Sequence, residues 1–349
     1  TDAPEADGTL TWSSTTMVYV EVTGGGRTGV GWTYAAPACA PLTRDVLTDV
    51  VCGRPVLDVP GAWEAMVRAC RNLGRPGLVS CAIAAVDVAL WDLKAKLFDA
   101  PLCRLLGSVR DEVPVYGSGG FTTYDDDRTR AQLTHWAHEL GIPRVKIKIG
   151  ESWGSREARD LARVRLAREV IGDATELYVD ANGGYSRKQA VRMARAFADA
   201  DVRWFEEPVS SDDLTGLGVV RDAIDADVAG GGEYGFDLAD FARMAPAVDC
   251  LQADVSRCAG ITEWLRVAAL AASCWLQVSA HCCPHLHAHV AAAVPNLRHI
   301  EWFHDHVRLE TVLFDGTLDP SGGAIRPDQG SPGLGVTLRR GDAEQFRVA

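Results

Sequence analysis

Arg144-Val-Lys-Ile-Lys-Ile149 alternates strictly between basic and aliphatic residues. In an extended strand Val145, Ile147 and Ile149 fall on one face, while Lys146 and Lys148 share the other and point the same way. Two ammonium groups are thereby forced together. Like charges disfavour each other's protonation, so in a site that excludes water one lysine is expected to be neutral often enough to act as a base. A half-exposed strand with a polar face accounts for the same six residues, and the flanking segments decide between the two.

From Val113 to Phe303 short β-rich runs alternate with helical ones. Strands are expected near 113–117, 144–149, 176–180, 202–206, 227–230, 249–252, 275–279 and 298–301, with helices at about 126–140, 155–171, 186–200, 212–225, 237–244, 260–272 and 284–293. Eight such units predict an α/β fold of the closed (β/α)8 barrel type. An open doubly wound sheet would carry a dinucleotide fingerprint after its first strand, and Gly117-Ser-Gly-Gly120 lacks the G-x-G-x-x-G spacing. Residues 1–112 read as a separate α+β capping domain, 113–303 as the barrel, and 304–349, rich in Gly and Pro, as a segment returning over the cap. Within the cap, Thr15–Val22 and Thr28–Tyr34 form a hairpin signal across Thr23-Gly-Gly-Gly-Arg-Thr28, and helices are expected at 42–52, 60–73 and 79–98. The last is apolar almost all round, hence buried, with Ser80 as its expected cap. Thr1 to Ser14, polar with exposed Leu10 and Trp12, is expected to be a mobile flap.

The 349 residues are 47% hydrophobic, enough for a large core, and carry a formal charge of −12 without a long basic tract. Nucleic acid and anionic membrane surfaces are therefore poor partners. No apolar run approaches the roughly 20 residues of a membrane span, and residues 1–20 lack the charged-then-apolar order of a signal peptide, so a cytoplasmic location is expected. Ten cysteines without a C-x-x-C pair, several in apolar helical runs (Cys70, Cys81, Cys274), read as reduced core residues. The cluster His281-Cys-Cys-Pro-His285-Leu-His287-Ala-His289 raises zinc, since His285 and His289 would share a helix face. Adjacent ligands within one turn rarely converge tetrahedrally, which disfavours it.

Barrel active sites lie at the C-terminal ends of the strands. Lys148, Asp180, Glu206, Glu233, Asp254, His281 and Glu301 each stand at or just beyond a predicted strand end, 20 to 32 residues apart, and are expected to point into one space. Three carboxylates from successive strands, Asp180, Glu206 and Glu233, need a cation or protons to coexist. Hard oxygen donors suit Mg2+ better than Zn2+, although any one of them alone also fits an N-cap of the helix that follows. In Glu206-Glu207 alternation gives the inward parity of Trp204 to Glu206, and Asn182 shares the parity of Asp180. Asp254 and His281 form a candidate carboxylate–imidazole pair in which the carboxylate orients the ring and raises its basicity.

Seven motifs carry a family resemblance: Val145-Lys-Ile-Lys148, Tyr178-Val-Asp-Ala-Asn182, Trp204-Phe-Glu-Glu-Pro208, Gly231-Gly-Glu233, Leu251 to Thr262 (Leu-Gln-Ala-Asp-Val-Ser-Arg-Cys-Ala-Gly-Ile-Thr), Ser279-Ala-His281 and His299-Ile-Glu-Trp302. In this order the chain resembles the enolase superfamily, and within it the mandelate racemase subgroup, over essentially its whole length. The resemblance implies one Mg2+ per active site on Asp180, Glu206 and Glu233, Lys148 as base on one face of a carboxylate substrate, and His281 with Asp254 on the other. It also implies that Lys146 and Glu301 stabilise the enediolate, and that the protein is a homo-oligomer, which the apolar cap helices favour too. Members usually begin with a further cap strand, so a segment is expected to precede Thr1. Ala259 stands where the subgroup commonly has a second glycine.

The expected activity is dehydration of a sugar acid, an aldonate or aldarate, to a 2-keto-3-deoxy acid. The polar flap groups Asp7, Thr9, Ser13 and Ser14 beside Trp12 suit a polyhydroxylated chain, and Trp12 and Asn182 are the expected substrate contacts. The alternative is racemisation or epimerisation of a 2-hydroxy acid through the same intermediate. A catalytically silent binding protein would have lost charged positions, and all seven are present.

Overall fold

The computed structural model describes Thr1 and residues 3–348; Asp2 and Ala349 lie outside the described residues. Two antiparallel pairs open the chain: β1 (Glu5–Ala6) with β2 (Thr11–Trp12), and the hairpin β3 (Met17–Gly24) with β4 (Arg27–Tyr34). Gly25 and Gly26, both at positive φ, make the two-residue turn that matches the twist of the hairpin strands. Cap helices follow: the contiguous segments Cys39–Leu42, Thr43–Leu47 (a π-helical turn) and Thr48–Val51, then α1 (Val59–Ala69) and α2 (Leu78–Leu97). β4 lies directly on α2: a Cβ on Gly29 or Gly31 would stand 2.1 Å from the Ala89 carbonyl or 2.3 Å from that of Ala85. Ser80 is not the cap expected of it. The helix starts at Leu78 after Gly77, and Ser80 is buried in its first turn, donating to the Phe236 carbonyl at 3.3 Å.

The alternating region forms eight parallel strands, β5 (Val113–Gly119), β6 (Arg144–Lys148), β7 (Glu176–Asp180), β8 (Val202–Glu206), β9 (Asp227–Gly230), β10 (Cys250–Ala253), β11 (Gln277–Ala280) and β12 (Leu297–Phe303). β12 pairs back with β5, Ile300 to Phe303 lying opposite Val115 to Ser118, which closes the barrel. The expected helices lie between the strands; the first, Asp126–Thr134, continues as a π-helical turn to Glu139. One strand begins later than expected. Trp275, 97% exposed with φ +60°, belongs to the turn before β11, and Cys274 is exposed rather than in the core.

Strand alternation sorts the barrel interior into two layers. Below, Tyr116, Tyr178, Trp204, Cys250 and His299 are buried as an aromatic floor, with Tyr178 and Trp204 stacked at 5.6 Å. Two residues further along the same strands, on the same face, come Ser118, Asp180, Glu206, Gln252 and Glu301. The floor excludes water beneath the charged layer.

Cap and barrel are joined by a buried carboxylate. Asp87 of α2 accepts from the Thr262 amide at 2.9 Å and from its hydroxyl at 2.6 Å, which caps the barrel helix α3 (Ile261–Ser273) from outside its own segment. Gly260, at φ +99°, leaves room for that carboxylate, whose Oδ2 would lie 2.4 Å from a Cβ there. The neighbouring Ala259 also has positive φ, +64°, so its departure from glycine is strained by about 1 kcal/mol, a cost offset by a methyl buried in the cap core.

Burial pushes the Asp87 carboxyl up to about 7, although the Thr262 hydrogen bonds act in the opposite direction. The folded state therefore holds a proton that the unfolded chain has released, and stability falls as pH rises from about 4 to about 7. Asp87→Asn should remove this part of the slope. Urea unfolding at several pH values checks it: the gap between wild type and variant should move in favour of the wild type as pH falls, and a pH-independent gap would contradict the assignment.

After β12 come the helix α4 (His304–Leu313) and the tail, which lie against the cap hairpin. Phe314 stacks on Trp32 at 4.6 Å, and Glu310 accepts from Trp32 Nε1 at 3.1 Å and the Tyr34 hydroxyl at 3.2 Å. The N-terminal stretch, expected to be mobile, is instead a built hairpin over the barrel mouth. Glu5 is fully buried and pairs with Arg308, while a Cβ on Gly8 would lie 2.5 Å from the Ala181 carbonyl. Among the described residues no helix is long and apolar enough to cross a membrane.

Candidate active site

Lys146 is fully buried, with Nζ 2.5 Å from Glu206 Oε1, 2.7 Å from Glu301 Oε1 and 3.4 Å from Asp180 Oδ2. Lys148, one step nearer the mouth and 4% exposed, donates to Asp180 Oδ2 at 2.5 Å. The lysines do share a face, yet neither has the lowered pKa expected from their mutual repulsion. Desolvation lowers both, but Glu206 beside Lys146 and Asp180 beside Lys148 more than offset it, and both ammonium groups are held above their ordinary value.

His281 stands just past β11. Its Nδ1–H donates to Asp254 Oδ2 at 2.9 Å, and Nε2 faces Glu233 Oε1 at 3.1 Å. Asp254 is itself positioned by Ser256, whose amide and hydroxyl both donate to Oδ1 at 2.7 Å. Burial opposes charge on this ring, but neighbouring Cys282 and the Glu233 and Asp254 carboxylates raise its pKa well above the usual imidazole value. Glu301 accepts from Ser118 at 2.6 Å and Lys146 through Oε1, and from the Cys282 amide at 2.9 Å through Oε2. Despite its burial, Lys146 first, then His281 and Lys148, hold its carboxyl well below the usual range.

The seven charged positions are thus brought into one buried network, with Lys148 on the second barrel strand and His281 past the seventh. Asp180 and Glu206 meet at Lys146 and are register partners across β7 and β8. Glu233 lies on the histidine side. Accordingly, the Asp180, Glu206 and Glu233 oxygens do not form a tight triad among the described residues; the group with all ligand atoms within 4.8 Å is His281, Cys282 and Glu301. Asn182 follows the end of β7 at φ +46°, its amide donating to Asp180 Oδ1 at 2.8 Å. Trp12 packs edge-on against Phe121 at 5.2 Å and is half-buried, not exposed. Asp7, near Lys148, uses its Oδ1 on the Thr9 and Leu10 amides, both at 2.7 Å, so the flap's acid is spent on its own turn.

Some participants escaped the sequence. Glu207 is buried and accepts from Ser211 at 2.8 Å; burial first, then Glu233, pushes its carboxyl well up. Strand parity placed it outside, but the strand ends at Glu206 and Glu207 turns with φ +39°. Ser118 and Tyr116 share the inward parity of β5, a signal that could have found them. The helical histidines of residues 284–292 are each consumed structurally. His285 pairs with Glu310, His287 accepts from the Val255 amide at 2.9 Å, and His289 accepts from the Cys103 amide at 3.2 Å. They leave no zinc site on that helix.

A capped parallel barrel with ionisable side chains gathered at the C-terminal strand ends has the layout of a TIM-barrel enzyme. Residues 128–343 match the enolase C-terminal domain-like model, and residues 3–107 match the N-terminal domain of mandelate racemase / muconate lactonizing enzyme. The chain belongs to this mandelate racemase/muconate lactonizing enzyme family of the enolase superfamily. It is similar to a mandelate racemase/muconate lactonizing enzyme-like protein from Rubrobacter xylanophilus, with a TM-score of 0.96 at 49% identity over 99% of this chain and 95% of that one. It is 32% identical to the L-talarate/galactarate dehydratase of Salmonella typhimurium, over 84% of this chain and 75% of that protein. A racemase from Streptomyces coelicolor, solved with bound magnesium, superposes with a TM-score of 0.91 at 29% identity over 98% of this chain and 95% of that one.

Proposed function

We propose that this protein removes the proton α to the carboxylate of a sugar acid and expels the β-hydroxyl, giving a 2-keto-3-deoxy acid. The observation that carries the reading is the pair Lys148 and His281, reaching one buried space from the second and seventh barrel strands with Glu301 between them on the eighth. The similarity to a talarate/galactarate dehydratase supports it.

The residues fit a divalent cation. Asp180, Glu206, Glu207, Glu233, Asp254 and Glu301 are six carboxylates against four cationic groups, Lys146, Lys148, Arg257 and charged His281, so two of the six must hold a proton or face an added cation. Burial and nearby Asp180 push Glu206 up to about 8, as such a surplus requires. Glu233 Oε2 and Asn182 Oδ1 are buried acceptors without a partner among the described residues. Oxygen donors alone favour Mg2+, which on Asp180, Glu206 and Glu233 would supply countercharge for the substrate carboxylate as it gains a second negative charge.

Lys148, held charged by Asp180, takes the α-proton after first giving up its own, which engagement of Asp180 elsewhere would favour. Lys146 and Glu301, locked together at 2.7 Å, are preorganised beside the enediolate oxygens. His281 then gives its Nε2 proton to the departing β-hydroxide, releasing water, and the enol tautomerises to the keto acid. With acid–base groups on both sides the same intermediate can be reprotonated opposite to abstraction, so racemisation or epimerisation of a 2-hydroxy acid is the second reading.

The test is a panel of aldonates, aldarates and 2-hydroxy acids, read for 2-keto acid and, in D2O, for α-deuterium. Dehydration predicts keto acid from at least one sugar acid, abolished by EDTA and restored by Mg2+. Exchange without keto acid would transfer the assignment to racemisation, and neither signal with Mg2+ bound would remove both.

A further inference from the structure

Adjacent residues of a strand point to opposite faces, so His281 and Cys282 should not converge. They do because the strand ends at Ala280 and Cys282 takes a left-handed backbone with φ +51°. Cys282 Sγ thereby lies 3.4 Å from His281 Nε2 and 3.4 Å from Glu301 Oε2, and the latter two atoms are 3.8 Å apart. In a tetrahedral zinc site with bonds of about 2.0–2.3 Å, ligand atoms stand roughly 3.3–3.6 Å from one another. Both distances to sulfur fall in that range, and the His281–Glu301 distance need shorten by only a few tenths of an ångström to complete a face of the tetrahedron. Glu233 Oε1 also lies 3.1 Å from His281 Nε2, and its other oxygen has no partner among the described residues.

The donors are also available. Glu301 engages Lys146 and Ser118 through Oε1, leaving Oε2 to the Cys282 side. Asp254 holds His281 Nδ1, which orients Nε2 outward as second partners of metal-bound histidines do. One sulfur and one imidazole make this a softer set than the carboxylate oxygens of Asp180, Glu206 and Glu233.

We propose that His281 Nε2, Cys282 Sγ and Glu301 Oε2 form a second metal site, selective for a thiophilic divalent cation such as Zn2+ over Mg2+, at which binding switches the protein off. On binding the thiol proton and the Nε2 proton of the charged imidazole both pass to solvent, and the thiolate, imidazole nitrogen and carboxylate oxygen each donate a pair to the cation. The inhibitory consequence rests on the proposed role of His281, whose Nε2 would no longer carry a proton; the metal site itself does not.

The deciding experiment titrates the full-length protein, in excess Mg2+, with Co2+ as spectroscopic probe and then Zn2+. One equivalent of Co2+ should bring up a near-ultraviolet thiolate-to-cobalt band that Zn2+ displaces. Cys282→Ser should lose the band and bind Zn2+ at least about 10-fold more weakly, whereas Cys283→Ser should keep both. X-ray absorption of the wild-type zinc complex, which requires no variant to fold, should find one sulfur at about 2.3 Å. A zinc shell of nitrogen and oxygen only, or a cobalt band that survives in Cys282→Ser, overturns the site. A wild-type band without loss of turnover would keep the site and instead remove the role given to His281.

Discussion

Lys148→Ala should lower kcat by about three to four orders of magnitude, the upper end of what a positioned general base contributes, while the variant still binds substrate. The other amine on that face, Lys146, cannot substitute: it is fully enclosed and engaged by Glu206, Glu301 and Asp180. His281→Asn should cost a comparable factor for a different reason. Asparagine can still donate to Asp254 but carries no proton that can be delivered from the Nε2 position. If the two groups serve opposite faces, each variant should retain α-hydrogen exchange in D2O with the stereochemistry of the surviving group. Equal and total loss of exchange in both would contradict a two-base site, and unimpaired turnover in Lys148→Ala would assign abstraction to His281 alone.

Lys146→Met should destabilise the metal-free protein by about 3 to 5 kcal/mol, the usual cost of removing one partner from a buried ionic group. Methionine preserves the length and apolar stem, so the loss reports charge. Without the ammonium, Glu206 and Glu301 lose their nearest cation, while Asp180 keeps Lys148. Glu206, already pushed up to about 8 by burial and Asp180, should then hold its proton to higher pH. The penalty should therefore shrink as pH falls, because proton uptake replaces the missing cation. Urea unfolding at pH 6 and pH 9 measures this, and Mg2+ should regain part of the loss by binding only the folded state. A penalty below about 1 kcal/mol at both pH values would mean that the network is not the compact charge cluster described above.

Alternation made much of the site legible. A strand with a buried face has period two, so Lys146 and Lys148, Tyr178 and Asp180, Trp204 and Glu206 could each be paired from the sequence. The rule stops where the strand stops. Glu207, Asn182 and Cys282 all adopt positive φ just past a strand end, so counting parity onward misplaced Glu207 and concealed how Cys282 turns beneath His281. The same limit explains Trp275, whose apolar neighbours extended the predicted strand into what is an exposed left-handed turn. Ser80 had cap chemistry, yet α2 is enclosed by the hairpin and the barrel, and burial rather than capping decides its place.

Composition, periodicity and motif order by themselves determined a capped (β/α)8 barrel and the residues at its strand ends, because side-chain direction along a strand is local information. Which charges compensate which was decided only by the closed barrel. Whether a lysine is neutral, whether three carboxylates meet at one point, and whether a histidine is spent on a backbone amide all depend on groups far apart in the chain. The physical reason is that a pKa or a ligand set is a property of the whole enclosed charge distribution, and that distribution exists only once β12 has paired with β5.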